Sequence, residues 1–195
     1  TLYSYDVHGR LLVTKAGTLT VTNTYDKNGN KLTMTDATGT TGRVYDAMNR
    51  CIVKSVPSIG ATVFAYDVTS ATGSYKEVTT DPKGNVSAKV YDKLGRVIAV
   101  EDAGVVKATY LYYENGLKKQ VSYPLSGATE TYTYYPNGQL QTLTNKKGTT
   151  ELAAYSYTYD NAGNQLTKVE SLNGATGLVT SYRYDRLNHL LKVTE

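Results

Sequence analysis

Two histidines, one cysteine and a recurring aspartate are the residues whose types could carry chemistry in this chain. His8 and His189 are the only histidines. A general base or a metal ligand needs partners at fixed spacing, and nothing around either residue supplies them, so both read as turn residues. Cys51 is alone. That excludes an intrachain disulfide and a multi-cysteine zinc site, and its apolar place after a turn reads as a small buried hydrophobe. Aspartates could pair as the acid and base of a glycosidase, but a catalytic pair is singular and these recur, so they read as turn residues. Asp26-x-Asn28-x-Asn30 has the opening of a calcium loop. Its glycine, Gly29, falls at the fourth position where that loop requires the sixth, and Ala37 stands where the bidentate glutamate belongs. No convergent catalytic set, metal or cofactor is implied, and the chain reads as non-enzymatic.

The aspartates belong to a repeated pattern, Tyr-Asp-x-x-Gly followed by apolar residues, which is most regular at Tyr91-Asp92-Lys93-Leu94-Gly95-Arg96-Val97-Ile98. Its tyrosines are Tyr5, Tyr25, Tyr45, Tyr66, Tyr91, Tyr112, Tyr134, Tyr159 and Tyr184, at steps of 20 to 25 residues. A short fixed period marks a repeat array. Asp6, Asp26, Asp46, Asp67, Asp92, Asp160 and Asp185 open the turn, where a carboxylate can accept hydrogen bonds from backbone N–H groups two or three residues on. Gly9, Gly29, Gly95, Gly116, Gly138 and Gly163 close it, free to enter the left-handed region; Asn49 and Asn188, which tolerate that region, take the place in two further units. Ser70 is the exception. Tyr113 and Tyr135 stand where aspartate is expected, and in the second case Pro136 and Asn137 supply turn character.

These corners need strands on either side. Runs such as Tyr155-x-Tyr157-x-Tyr159 and Phe64-x-Tyr66 alternate with period two, so one face of each incoming strand carries rings and should face inward. The apolar residues two or three places past each turn, Leu11 and Leu12, Leu32, Cys51 and Ile52, Val97 and Ile98, Leu140, Leu166, Leu190 and Leu191, should pack beside those rings. Second turns fall half a period later, at Asp36-Ala37-Thr38-Gly39, Asp81-Pro82-Lys83-Gly84, Asp102-Ala103-Gly104, Asn145–Gly148 and Asn173-Gly174. Strands joined by hairpins then predict an all-β chain, one continuous antiparallel meander of about eighteen strands without helix. Residues 1–195 form one array of about nine units, with an irregular fourth unit whose loop is lengthened at Ser70–Ser74. An open array exposes unpaired edges that can pair with another copy or with flanking repeats.

Composition narrows the partners. The net charge of +4 arises from 21 basic and 17 acidic residues scattered along the chain, without the clustered stripe of a nucleic-acid surface. No apolar run reaches the roughly 18 residues of a membrane span. Nineteen tyrosines against one phenylalanine and no tryptophan point to rings packed on one side with hydroxyls reaching water or polar groups. The opening Thr1-Leu2-Tyr3, with no initiator methionine, reads as a piece of something longer.

The units Tyr5-Asp6-x-x-Gly9-Arg10-Leu11, Tyr45-Asp46-x-x-Asn49-Arg50, Tyr91-Asp92-x-x-Gly95-Arg96-Val97 and Tyr159-Asp160-x-x-Gly163-Asn164-x-Leu166 resemble the YD repeats of the Rhs family, found in bacterial polymorphic toxins, insecticidal toxin complexes and teneurins. The resemblance covers essentially the whole chain. It implies an open segment of a spiralling β-sheet shell, secreted or on a bacterial cell surface, that encloses or displays another polypeptide such as a C-terminal toxin domain. Its partners would be the flanking repeats and that polypeptide. Members of the family cleave themselves at Asp-Pro contexts, but Asp81-Pro82 lacks the surrounding motif and reads as a turn. A second reading is an adhesive array binding glycans on exposed tyrosines, for Tyr134-Tyr135-Pro136-Asn137-Gly138-Gln139 resembles the aromatic hairpins of choline- and glucan-binding repeats. Those arrays usually rely on tryptophan, which this chain lacks.

Overall fold

The computed structural model describes residues 1–69 and 74–195, apart from the side chain of Thr176. Ser70 and the centre of the long fourth-unit loop lie outside the described residues. Every described element is a β-strand. Among them no helix is long and apolar enough to cross a membrane.

The chain divides into two compact units. The first comprises Thr1–Arg96 with Glu101–Val105. It contains β1 (Leu2–Tyr5), β2 (Leu11–Ala16), β3 (Leu19–Tyr25), β4 (Lys31–Asp36), β5 (Gly39–Tyr45), β6 (Cys51–Val56), β7 (Gly60–Thr69), β8 (Tyr75–Thr80) and β9 (Val86–Tyr91). Each of these strands pairs antiparallel with the next in sequence. The division falls inside β10 (Val97–Asp102). The second unit comprises Val97–Val100 with Val106–Glu195. Its strands follow as β11 (Val105–Tyr112), β12 (Lys118–Tyr123), β13 (Ala128–Tyr134), β14 (Leu140–Lys147), β15 (Thr150–Tyr159), β16 (Gln165–Leu172), β17 (Ala175–Tyr184) and β18 (Leu190–Thr194). Again each pairs antiparallel with its successor from β11 on. The strand count among the described residues, eighteen, is the one the alternation predicts, and most of the predicted corners are present.

Neither unit has a conventional core. Among the described residues the buried apolar ones are few and small, Ala88 and Val90 in the first unit and Ala108, Val121 and Ala153 in the second, and no large side chain is fully buried. What the sheets have instead is two unlike faces. The alternating residues of the ring-bearing face are half-buried, as at Tyr25, Arg43, Tyr132 and Tyr157, while Thr24, Val44, Thr133 and Thr158 between them are exposed. On that exposed face threonine hydroxyls bond across strands, Thr24 to Thr33 and Thr158 to Thr167 each at 2.6 Å, which ties neighbouring strands where no apolar burial is available.

Three features differ from the sequence-based expectation. Just past the turn one residue of the outgoing strand is extra: Tyr5 faces Leu11 but Ser4 faces Val13, and the same shift recurs opposite Tyr25, Tyr45, Tyr112, Tyr134, Tyr159 and Tyr184. Such a bulge sets two residues against one. Neighbouring apolar residues can then both be half-buried, as Leu11 and Leu12 or Cys51 and Ile52 are, where strict alternation would expose one. Leu166, Leu190 and Leu191, however, are exposed rather than packed beside rings. The second difference is Tyr66-Asp67, which opens no turn: both residues lie inside β7, where the register shifts between Ala65 and Val68 and Asp67 takes φ +56°. The third follows two strands on. In β9 the buried residues are Ala88 and Val90, so Tyr91, three and one places on, lies on the other face of that strand.

Candidate functional site

The repeated corner is the most elaborately bonded structure in the molecule. In the second repeat the Asp26 N–H donates to the Asn30 carbonyl at 3.0 Å and the Gly29 N–H to the Asp26 carbonyl at 3.2 Å, which closes a three-residue hairpin loop with Gly29 at φ +89°. Asp26 Oδ1 then accepts the N–H groups of Asn28 and Asn30 at 2.9 and 2.8 Å, and Oδ2 accepts the Asn30 side-chain amide at 2.8 Å. The same loop is built at Asp6, Asp46, Asp92, Asp160 and Asp185, where the residue four places on is Arg10, Arg50, Arg96, Asn164 or His189. Asp81 forms it too, with Asn85, at a half-period position.

These donors hold every such carboxyl below the usual carboxylate range. The largest cause is the backbone N–H four residues on for Asp6, Asp46, Asp92 and Asp185, and the asparagine side chain for Asp26, Asp81 and Asp160. Sequence reasoning named the aspartate and the glycine of this corner but missed the polar residue four places past the aspartate, although Arg, Asn or His stands there each time.

A second layer of bonds joins many of the repeats to the next. The motif tyrosine donates its hydroxyl to the backbone carbonyl two places past the previous turn's left-handed residue: Tyr25 to Leu11, Tyr45 to Lys31, Tyr66 to Cys51, Tyr112 to Val97 and Tyr159 to Leu140, all at 2.8–3.0 Å. Corners are also linked, Arg10 Nη1 to the Asp26 carbonyl, Asn30 to Asn49 Oδ1 and Asn164 to Asn188 Oδ1, each at 2.8 Å, and Arg50 of the third corner reaches Asp67 Oδ2 in β7 at 2.6 Å. Arg10 and Arg50 also lie over the rings of Tyr25 and Tyr66, 5.0 and 4.5 Å from their centroids. Tyr91, on its reversed face, donates instead to Glu77 Oε2 at 2.7 Å. Burial, with the Glu77 carboxylate second, pushes its phenol up to about 12.

Where aspartate is replaced, the substitute does a related job. The Tyr113 and Tyr135 hydroxyls donate to the Tyr132 and Tyr157 carbonyls of the following repeat at 2.9 and 3.0 Å. The lost carboxylate is covered from within the loop, since Asn115 Oδ1 accepts the Leu117 N–H and Asn137 Oδ1 the Gln139 N–H, both at 3.1 Å. Asn137 thus acts through its side-chain carbonyl, and Asn115 does the same in a loop where no compensation was expected.

The candidate chemical groups do not converge. His8 and His189 sit in corners of different units. The half-exposed Cys51 thiol donates to the Val53 carbonyl at 3.3 Å. Among the described residues no group of three or more His, Cys, Asp or Glu side chains is placed to hold a metal. The calcium-like run Asp26–Asn30 turns its carboxylate oxygens onto its own loop.

A ladder of this kind, in which corners and rings of successive repeats are fastened together, defines a YD-repeat β-wall. Residues 1–119 match the teneurin YD-shell family, and the chain belongs to that family, which carries the Rhs-type YD repeat. No curated protein matches. Among solved structures the fold is similar to a chain of the TcdB2-TccC3-Cdc42 crystal structure, with TM-score 0.52 and 18% identity over 98% of this chain and 14% of that one. It is also similar to a chain of the Tc holotoxin pore of Photorhabdus luminescens carrying a TccC3 point mutation, with TM-score 0.52 and 17% identity over 98% of this chain and 13% of the other. The chain therefore spans about one-seventh of the length of those chains.

Proposed function

We propose that this chain is a non-enzymatic wall segment of a β-shell, secreted or displayed on a bacterial surface, that encloses or presents another polypeptide such as a toxin domain. The observation that carries this reading is the ladder. The polar groups most often found at catalytic centres, Asp, Arg, His and Tyr, are here committed repeat after repeat to backbone carbonyls and N–H groups of their own and neighbouring units, which is what a wall requires. The half-buried ring-bearing face offers phenol edges and aliphatic patches to an enclosed chain, and the terminal strands β1 and β18, exposed throughout, offer edges to flanking repeats or a second copy.

A photo-crosslinking group in place of Tyr157 in the parent protein tests the reading. Crosslinks into a non-repeat segment of the same protein are expected. Crosslinks only to water, together with saturable glycan binding tighter than about 1 mM, would replace the wall with the adhesive reading.

A further inference from the structure

The two corners in which tyrosine replaces aspartate border two open grooves. Between loops 113–117 and 135–139 runs an open groove of about 700 Å³, lined by Tyr113, Glu114, Asn115, Tyr134, Tyr135 and Pro136 among others. Between loops 135–139 and 160–164 lies a second, of about 660 Å³, whose lining includes Tyr135, Pro136, Tyr159 and Asn161. Each contains one perpendicular ring pair, Tyr113 against Tyr134 at 86° and Tyr135 against Tyr159 at 88°, with centroids 6.1 Å apart in both. Such a pair makes a right-angled aromatic corner, and the corner repeats one unit along the sheet, with Tyr135 and Pro136 shared as the ridge between the grooves.

The period of this pair selects a ligand. One repeat is two strands, and at about 4.8 Å per strand the corners recur about every 9.6 Å. A polyproline II helix completes a turn every three residues at about 3.1 Å each, or about 9.3 Å. A segment with proline at every third position would therefore set one rigid pyrrolidine ring into each corner without adjusting its own conformation. Its carbonyls carry no internal hydrogen bonds and need donors. Tyr134 can supply one: among the described residues its hydroxyl bonds to nothing, unlike those of Tyr112 and Tyr159 in the same ladder. Glu114, exposed at the margin of the first groove and without an ion-pair partner among the described residues, fits a basic residue flanking the prolines. The prolines at 57, 82, 124 and 136 are never three apart, so these 195 residues do not contain the segment themselves.

We propose that the paired grooves bind a proline-rich segment of another protein, of the form Pro-x-x-Pro with a neighbouring lysine or arginine. This goes beyond the wall reading, and its failure would leave that reading standing. The test is calorimetric titration of the intact chain with a lysine-led peptide carrying three prolines at every third position, beside a peptide of the same composition with prolines at every fourth. Saturable 1:1 binding with Kd between about 10 μM and 1 mM is expected, at least tenfold weaker for the second peptide. Tyr134→Phe, which keeps the ring, should weaken binding about fivefold, the share of one hydrogen bond. Glu114→Gln should weaken it at low salt and much less at high salt. Equal binding of the two peptides, no saturation by a chain whose circular dichroism shows intact strands, or saturable binding of oligosaccharides with none of peptide would each overturn the proposal.

Discussion

Tyr45 keeps its ring half-buried on the sheet while its hydroxyl reaches the Lys31 carbonyl 14 residues back, a double use that favours tyrosine over phenylalanine at such positions. A phenyl ring would pack as well but leave the carbonyl of the preceding repeat without its donor. Tyr45→Phe should therefore cost about 1 kcal/mol in urea unfolding, the usual net worth of a neutral hydrogen bond. Tyr134→Phe is the internal control, since that hydroxyl has no protein partner among the described residues, and it should change the midpoint by less than a third as much. Equal losses for the two variants would mean that the rings, and not their hydroxyls, connect the repeats.

At the scale of the turn, the half-period corners are fastened differently. A side chain at Gly39, where φ is +127°, would meet Pro57 Cγ of the next half-period turn at 2.8 Å, and one at Gly60 would meet Pro82 Cβ at 3.0 Å. Further along, the Gly148 N–H donates to the Gly127 carbonyl and the Asn173 N–H to the Leu152 carbonyl, both at 3.0 Å. Gly39→Ala must combine a strained backbone with a collision and should cost more than about 2 kcal/mol. Gly29→Ala, with open space around the added carbon, meets only the left-handed penalty of about 1 kcal/mol. Thermal unfolding of the two variants side by side measures the difference. The sequence displays what is local and periodic: the Asp-x-x-Gly corners, the alternation of rings, the strand count. It conceals what is decided between repeats. Gly39 against Pro57, or Tyr159 against the Leu140 carbonyl, joins residues 18 or 19 positions apart, and no short-range pattern announces the pairing. The reversal of Tyr91 was equally hidden, since its motif is among the most regular and nothing in it announces which face of β9 is buried.

Across the whole chain the same corner chemistry becomes a collective response to pH. Asp6, Asp26, Asp36, Asp46, Asp81, Asp92, Asp160 and Asp185 all have carboxyls lowered by donors that exist only in the folded turns. A lowered folded value gives stability that is present in full above the unfolded value of about 3.9 and is lost as pH falls through the folded one. Because the contribution is repeated along the array, the urea midpoint should stay level from neutral pH down to about pH 5 and then drop steeply below pH 4. The tyrosines set the opposite limit. Burial raises the phenols of Tyr66, Tyr91, Tyr134, Tyr157 and Tyr159, and the Glu130 carboxylate raises that of Tyr123. A raised folded value gives stability that holds below the unfolded value of about 10 and is lost above it, until the folded value is passed. Urea midpoints across pH 2 to 12 should thus trace a plateau with two falling sides. Asp26→Asn with Asp160→Asn should lower the plateau and make the acid side shallower, because two of its titrating groups are gone. An acid side unchanged by the pair would place the sensitivity outside the corners.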